Sequence, residues 1–172
     1  MSSTLSLELD AQDFWQFSLN IYSHTNVANI LLQAQSQWRV NVNLALLCLY
    51  LDQKSCYLEK AQMSDLHAAV MQFSQTYTKP LRDIRQKFKT QQQALMQYES
   101  IRRHILDAEL LLERQEQSVL VELINSMQVS AAGHHDNTDI YMNILAEHID
   151  ISADERGNWV DLRDLNQYLS TS

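Results

Sequence analysis

The chain has 172 residues, a formal net charge of −8, two glycines and one proline, so it can bury one sizeable core but lacks the residues of tight turns and phosphate cradles. Its apolar fraction of 45% and charged fraction of 20% are those of an ordinary globular protein. The acidic balance argues against nucleic acid as a partner, because that binding rests on a basic surface, and makes a basic protein surface the better electrostatic match.

Met1 to Asp10 carries no basic region and no apolar stretch, and the longest apolar run, Leu44 to Leu51, falls short of the roughly 20 residues that span a bilayer. The expected location is the cytoplasm, without membrane insertion. Residues 1–9 read as a flexible N-terminus, 10–128 as the helical core, 129–137 as a loop and 138–172 as a C-terminal helical extension. Few glycines, and no alternating β-branched runs bounded by turns, predict an all-α single-domain multi-helix bundle with little support for strands.

Asp10 is a candidate N-cap for a first helix over about 10–24, with Asp13 favouring the positive end of its dipole. Asn26 can end the following turn and cap a second helix through Val27, Ile30, Leu31 and Ala34. Asn41 caps a third, Val42 to about Gln53, which is apolar on every side and therefore belongs in the middle. Ser64 and Asp65 signal a fourth, carrying Leu66, Ala69, Val70, Phe73 and Tyr77 at helical spacing. Pro80 fits the first turn of the next helix and biases Lys79 away from helical angles, which predicts a break or kink at 78–80. Beyond it Leu81, Ile84 and Phe88 share one face, and Arg82, Arg85 and Lys89 another.

The longest helix is expected over about 93–127, with one apolar row from Tyr98 to Val119 and a second through Leu106, Leu110, Leu120, Ile124 and Met127. Two adjoining rows predict a spine covered over much of its circumference. A short helix near Asp139 to His148, a turn containing Gly157 and a last helix from about Asp161 to Leu169 complete the reading.

Much chemistry is disfavoured by what is missing. Gly133 and Gly157 stand alone, so neither a P-loop nor a dinucleotide fingerprint can form, and a nucleophile elbow lacks its glycines. Cys48 and Cys56, eight apart, match neither a paired redox motif nor a zinc spacing and read as reduced packing residues. A di-iron bundle needs Glu-x-x-His pairs, and the chain has none. His134-His135-Asp136 is a weak metal signal, better read as solvated loop. Asp150, Ser152, Asp154 and Asp161 faintly resemble a calcium loop, but Glu155 stands where glycine is needed. No metal or cofactor is assigned, and an enzyme is the less favoured class.

The constellation that survives is ionic. Arg82 and Arg85 project from one helical face and Glu109 and Glu113 from another, so the two pairs can engage as a two-rung ladder, with Glu116, Arg102, Arg103 and Arg114 nearby. Its alternatives are a solvated surface or a partly buried network that sets helix register. Trp15, Trp38 and Trp159 are candidate interaction aromatics, with core packing the plainer role and favoured for Trp15 beside Phe14 and Phe17.

Asp13-Phe14-Trp15-x-Phe17-Ser18-Leu19, Tyr22, Asn41-Val42-Asn43-Leu44, Pro80-Leu81-Arg82-x-x-Arg85 and Ala108-Glu109-Leu110 with Glu113-Arg114 and Gln117 together resemble a proteobacterial family of conserved hypothetical proteins, a domain of unknown function. The likeness spans about residues 10–125. It implies a soluble, helical, cytoplasmic bacterial protein with no activity to carry over, and makes an ABC-type ATPase a candidate partner by genomic neighbourhood. Family members tend to have Pro-Gly where this chain has Thr25-Asn26, and aspartate where it has Asn41, which keeps the capping ability but drops a charge.

Two functional classes follow. One is a non-catalytic helical adaptor that holds a protein partner through a groove or exposed aromatics. The other is a small-molecule sensor or enzyme with an intra-bundle pocket lined by Arg82, Arg85, Glu109 and Glu113. Unpaired arginines facing a cavity would favour an anionic ligand, and arginines saturated by glutamates a structural role.

Overall fold

The computed structural model describes residues 4–6, 8–92, 96–130, 136–148 and 165. Its elements are β1 (Thr4–Ser6), α1 (Ala11–Tyr22), α2 (Thr25–Trp38), α3 (Val42–Gln53), α4 (Lys60–Phe73), a π-helical turn (Ser74–Thr78), α5 (Lys79–Thr90), α6 (Tyr98–Asn125), β2 (Gln128–Ser130) and α7 (Asn137–His148). The fold is an all-α multi-helix bundle.

At the centre lies α3. The Asn41 side chain accepts from the Leu44 amide at 2.9 Å to start it, and every residue from Asn43 to Leu51 is buried. A helix without a polar face must be enclosed, and α1, α2, α4, α6 and α7 pack around it. Asp10 caps α1 through the Gln12 and Asp13 amides, at 2.8 and 2.9 Å, as its position predicts.

Other boundaries correct the sequence reading. Helix α2 begins after His24, whose side chain makes no cap bond, which leaves Asn26 inside the first turn. Helix α4 starts four residues before Ser64, from a capping box between Glu59 and Gln62; the Ser64 hydroxyl instead donates to the Lys60 carbonyl within the helix. Of the break or kink expected at 78–80, no break occurs: the chain stays helical through a π-helical turn at Ser74–Thr78. Lys79 is helical, at φ −62° and ψ −47°, and its amide donates to the Ser74 carbonyl five residues back. This widened turn places Pro80 near the start of α5 without the ring clash of an uninterrupted α-helix.

A small antiparallel ribbon was also unforeseen. Thr4, Leu5 and Ser6, inside the segment expected to be flexible, pair with Ser130, Val129 and Gln128, and Ser130 also bridges to Tyr57. The Asn125 carboxamide holds the backbone of Leu9 from both sides, at 2.8 and 2.9 Å. With few glycines available, the left-handed positions at Arg39 (φ 54°) and Ser55 (φ 53°) are filled by other residues.

Helix α6 is the longest and contacts α1, α3, α4 and α5. Its carboxyl half is sealed through Leu120, Val121 and Ile124, whereas Leu110 and Leu111 in its middle are exposed. The expected coverage therefore holds for only part of its length. Helix α5 has no buried residue, and Ile84, on its anticipated apolar face, is exposed. It is the arginine face of α5 that turns toward α6.

Candidate functional site

Helices α5 and α6 meet along a polar seam. Thr78, Arg82 and Arg85, spaced four then three, face Glu116, Glu113 and Glu109, spaced three then four, so an antiparallel pairing aligns every rung. Arg82 Nη2 lies 2.7 Å from Glu113 Oε1, Arg85 Nε lies 2.7 Å from Glu109 Oε1, and the Thr78 hydroxyl donates to Glu116 Oε2 at 3.2 Å. The first pair is about one-third exposed on both sides. Arg82→Ala is therefore expected to lower stability by about 1 kcal/mol in urea denaturation.

Behind the ladder lies a buried polar floor. Glu116 accepts from the Asn41 carboxamide Nδ2 as well as from Thr78, so one asparagine both caps α3 and ties it to α6. The Asn41 amide in turn donates to the Tyr141 hydroxyl at 2.8 Å. Gln117 Nε2 donates to Ser18 Oγ at 3.0 Å and to Asn43 Oδ1 at 2.9 Å, linking α1, α3 and α6.

Burial pushes the Glu116 carboxyl above the usual carboxylate range, against the opposing pull of its hydrogen bonds from Asn41, Asn43 and Thr78. The fold thus favours the protonated acid. Its contribution is complete below the ordinary carboxylate range and is lost as pH rises through the raised value. Glu116→Gln should stabilise the protein by about 1 kcal/mol at neutral pH and by almost nothing in mild acid, read by melting at both.

In front of this floor opens a cleft of about 330 Å³ between α1, α2, α3, α5 and α6. Arg82, Arg85, Glu109, Glu113, Glu116 and Gln117 all line it. Trp15 forms part of the wall, half-buried, with the Arg114 guanidinium 5.8 Å from its ring centre. Leu19, Tyr22, Leu32 and Leu110 contribute apolar side chains that remain exposed. The sequence placed Leu110 in a buried row, and it lies at this mouth instead.

The other candidates do not join the cleft. Trp38 is buried in the core, while Trp159, His134, His135 and the calcium-like stretch lie outside the described residues. Cys48 and Cys56 are buried, and burial raises both thiols, which disfavours thiolate chemistry. Among the described residues, no group of three or more His, Cys, Asp or Glu side chains is placed to hold a metal ion. Sequence reasoning missed Thr78 as the third rung and Asn41, Asn43 and Ser18 as the floor; extending the seven-residue seam one step beyond Arg82 would have found Thr78.

Residues 13–120, more than half of the chain, match the family model described as protein of unknown function (DUF2390). The chain belongs to this family. The DUF2390 match runs from α1 through most of α6 and includes every residue that lines the cleft, from Trp15 to Gln117, whereas α7 lies beyond it. No curated protein and no solved structure matches the chain.

Proposed function

We propose that this protein is a non-catalytic helical interaction module whose partner docks over the cleft. One observation carries the reading. Eight large apolar side chains are exposed among the described residues, and four of them, Leu19, Tyr22, Leu32 and Leu110, surround this single opening at 46%, 37%, 48% and 50% exposure. Single exposed apolar residues are ordinary on any surface, but a cluster around a concave polar floor has the character of a recognition site.

The arginines do not call for an anionic ligand, because each already holds a glutamate. They brace the wall of the cleft. The family resemblance supports a bacterial cytoplasmic setting as part of this proposal, and an ABC-type ATPase is the first partner to test. A small-molecule sensor is the second reading, favoured by a cleft volume within the range of ligand sites.

A photo-reactive side chain placed at Leu32 should capture one discrete protein in cells, with capture abolished by Leu110→Asp. The same probe at exposed Glu122, outside the cleft, should not capture it. Equal capture from both positions, or capture indifferent to Leu110→Asp, would refute a partner that docks on the rim.

A further inference from the structure

The floor of the cleft holds more acceptors than its own donors satisfy. Three carboxylates, Glu109, Glu113 and Glu116, line it beside two guanidiniums, Arg82 and Arg85. Gln117 is only 2% exposed, and its Oε1 has no hydrogen-bond partner among the described residues, while its Nε2 already donates to Ser18 and Asn43. A buried acceptor without a donor and a buried carboxylate without a cation both destabilise a fold. A single group relieves both: a cation that carries N–H donors.

We propose that the cleft receives a lysine or arginine side chain of a partner protein, its charged head among Glu116, Glu113 and the Gln117 carboxamide, its methylene stem against the apolar rim. This rests on the interaction reading above and names what the partner inserts. Long cationic side chains suit such a site, because their stems cover apolar surface while their heads need polar partners. Leu19, Tyr22, Leu32 and Leu110 provide the first environment and the floor provides the second. The half-buried indole of Trp15, which already has the Arg114 guanidinium 5.8 Å from its ring centre, forms part of the cleft wall beside this site.

Selectivity follows from the same groups. An acidic side chain would meet a surplus carboxylate and two arginines already engaged, and an uncharged apolar one would leave Gln117 Oε1 unpaired. The net charge of −8 draws a basic partner toward the molecule before contact. The exposed rim is built from residues of three helices, α1, α2 and α6, which points to a protein surface and not a free amine.

The test uses the full-length protein, isotopically labelled, and capped pentapeptides that differ only in a central lysine, arginine, norleucine or glutamate. The Gln117 side-chain amide and Trp15 indole signals report occupancy. The basic peptides should shift these signals and bind about tenfold more tightly than the norleucine peptide, with the advantage removed by Glu116→Gln, which is expected to stay folded. Equal binding of lysine and norleucine would overturn the cationic preference while leaving the interaction reading intact. A preference for glutamate would reassign the arginines to the ligand and overturn it as well. Free n-butylamine binding as tightly as the lysine peptide would replace the partner protein by a small amine. If no peptide moves the cleft signals, the inference fails, and cross-linking from Leu32 decides separately whether a partner docks there at all.

Discussion

Asn137→Ala is expected to lower stability by about 3 kcal/mol, a large loss for a single polar side chain. Asn137 is fully buried at the start of α7. Its carboxamide donates to Asp52 Oδ1 at 2.6 Å and to the Cys56 carbonyl at 2.8 Å, and its Oδ1 accepts from the Leu58 amide at 2.9 Å. One side chain thus joins the end of α3, the connection into α4 and the start of α7. Alanine removes all three bonds and strands the Leu58 amide and the Cys56 carbonyl away from water, which costs more than the bonds themselves contribute. Asn137→Asp should be no better at neutral pH, because it would set a carboxylate against Asp52. Urea denaturation with an unchanged slope measures the loss. A decrease below about 1 kcal/mol would mean that α7 is held by its apolar contacts alone.

Arg85→Ala is expected to cost about 2 kcal/mol, roughly twice the effect of Arg82→Ala. The two arginines make ion pairs of the same length, 2.7 Å, so length does not separate them. Burial of the partner does: the Glu109 side chain is 7% exposed and that of Glu113 is 33%. Removing Arg85 leaves a carboxylate shut away from solvent without its cation, whereas Glu113 can recover hydration. Combining Arg85→Leu with Glu109→Leu should restore most of the loss, since a buried ion pair contributes less than its broken halves cost. A double-mutant cycle reads the coupling directly. Equal losses for Arg82→Ala and Arg85→Ala would show that the rungs are solvated alike.

Helices with side-chain caps were the readily legible part of the fold. Asp10 and Asn41 bond the amides that their positions predict, and the unbroken apolar run after Asn41 had nowhere to go but the centre. Helix starts without the expected signal were misplaced. His24 makes no cap bond, and Glu59 acts as a cap although it is not among the usual residues. Ser64 carried the expected letters but bonds within its own helix. Pro80 announced a break or kink, and the helix runs on through a π-helical turn, because widening one turn shifts the carbonyl that the ring would strike. The three-residue strands are too short to show any alternation in sequence.

The candidate site was legible by halves. Spacing allowed the ladder but left a solvated face as its alternative, and packing of α5 against α6 brings Arg82 and Arg85 onto Glu113 and Glu109. The cleft did not follow from spacing, because its floor gathers Ser18, Asn41, Asn43 and Gln117 from α1, α3 and α6, and only packing brings those together. Leu110 has the helical spacing of a core residue and lies where the core ends. Asn137 was hidden for a related reason: its worth depends on Asp52, Cys56 and Leu58, some 80 positions away.

Partner capture by Glu116→Gln tests most directly that the cleft is for binding and not merely a fault in packing. A buried carboxylate that lowers stability at neutral pH has a reason to be there if a partner's cation meets it. The Glu116→Gln protein, probed from Leu32 beside the unaltered chain, should melt at a higher temperature and capture its partner at least about tenfold less. A variant that is more stable and captures the same protein equally well would contradict the account.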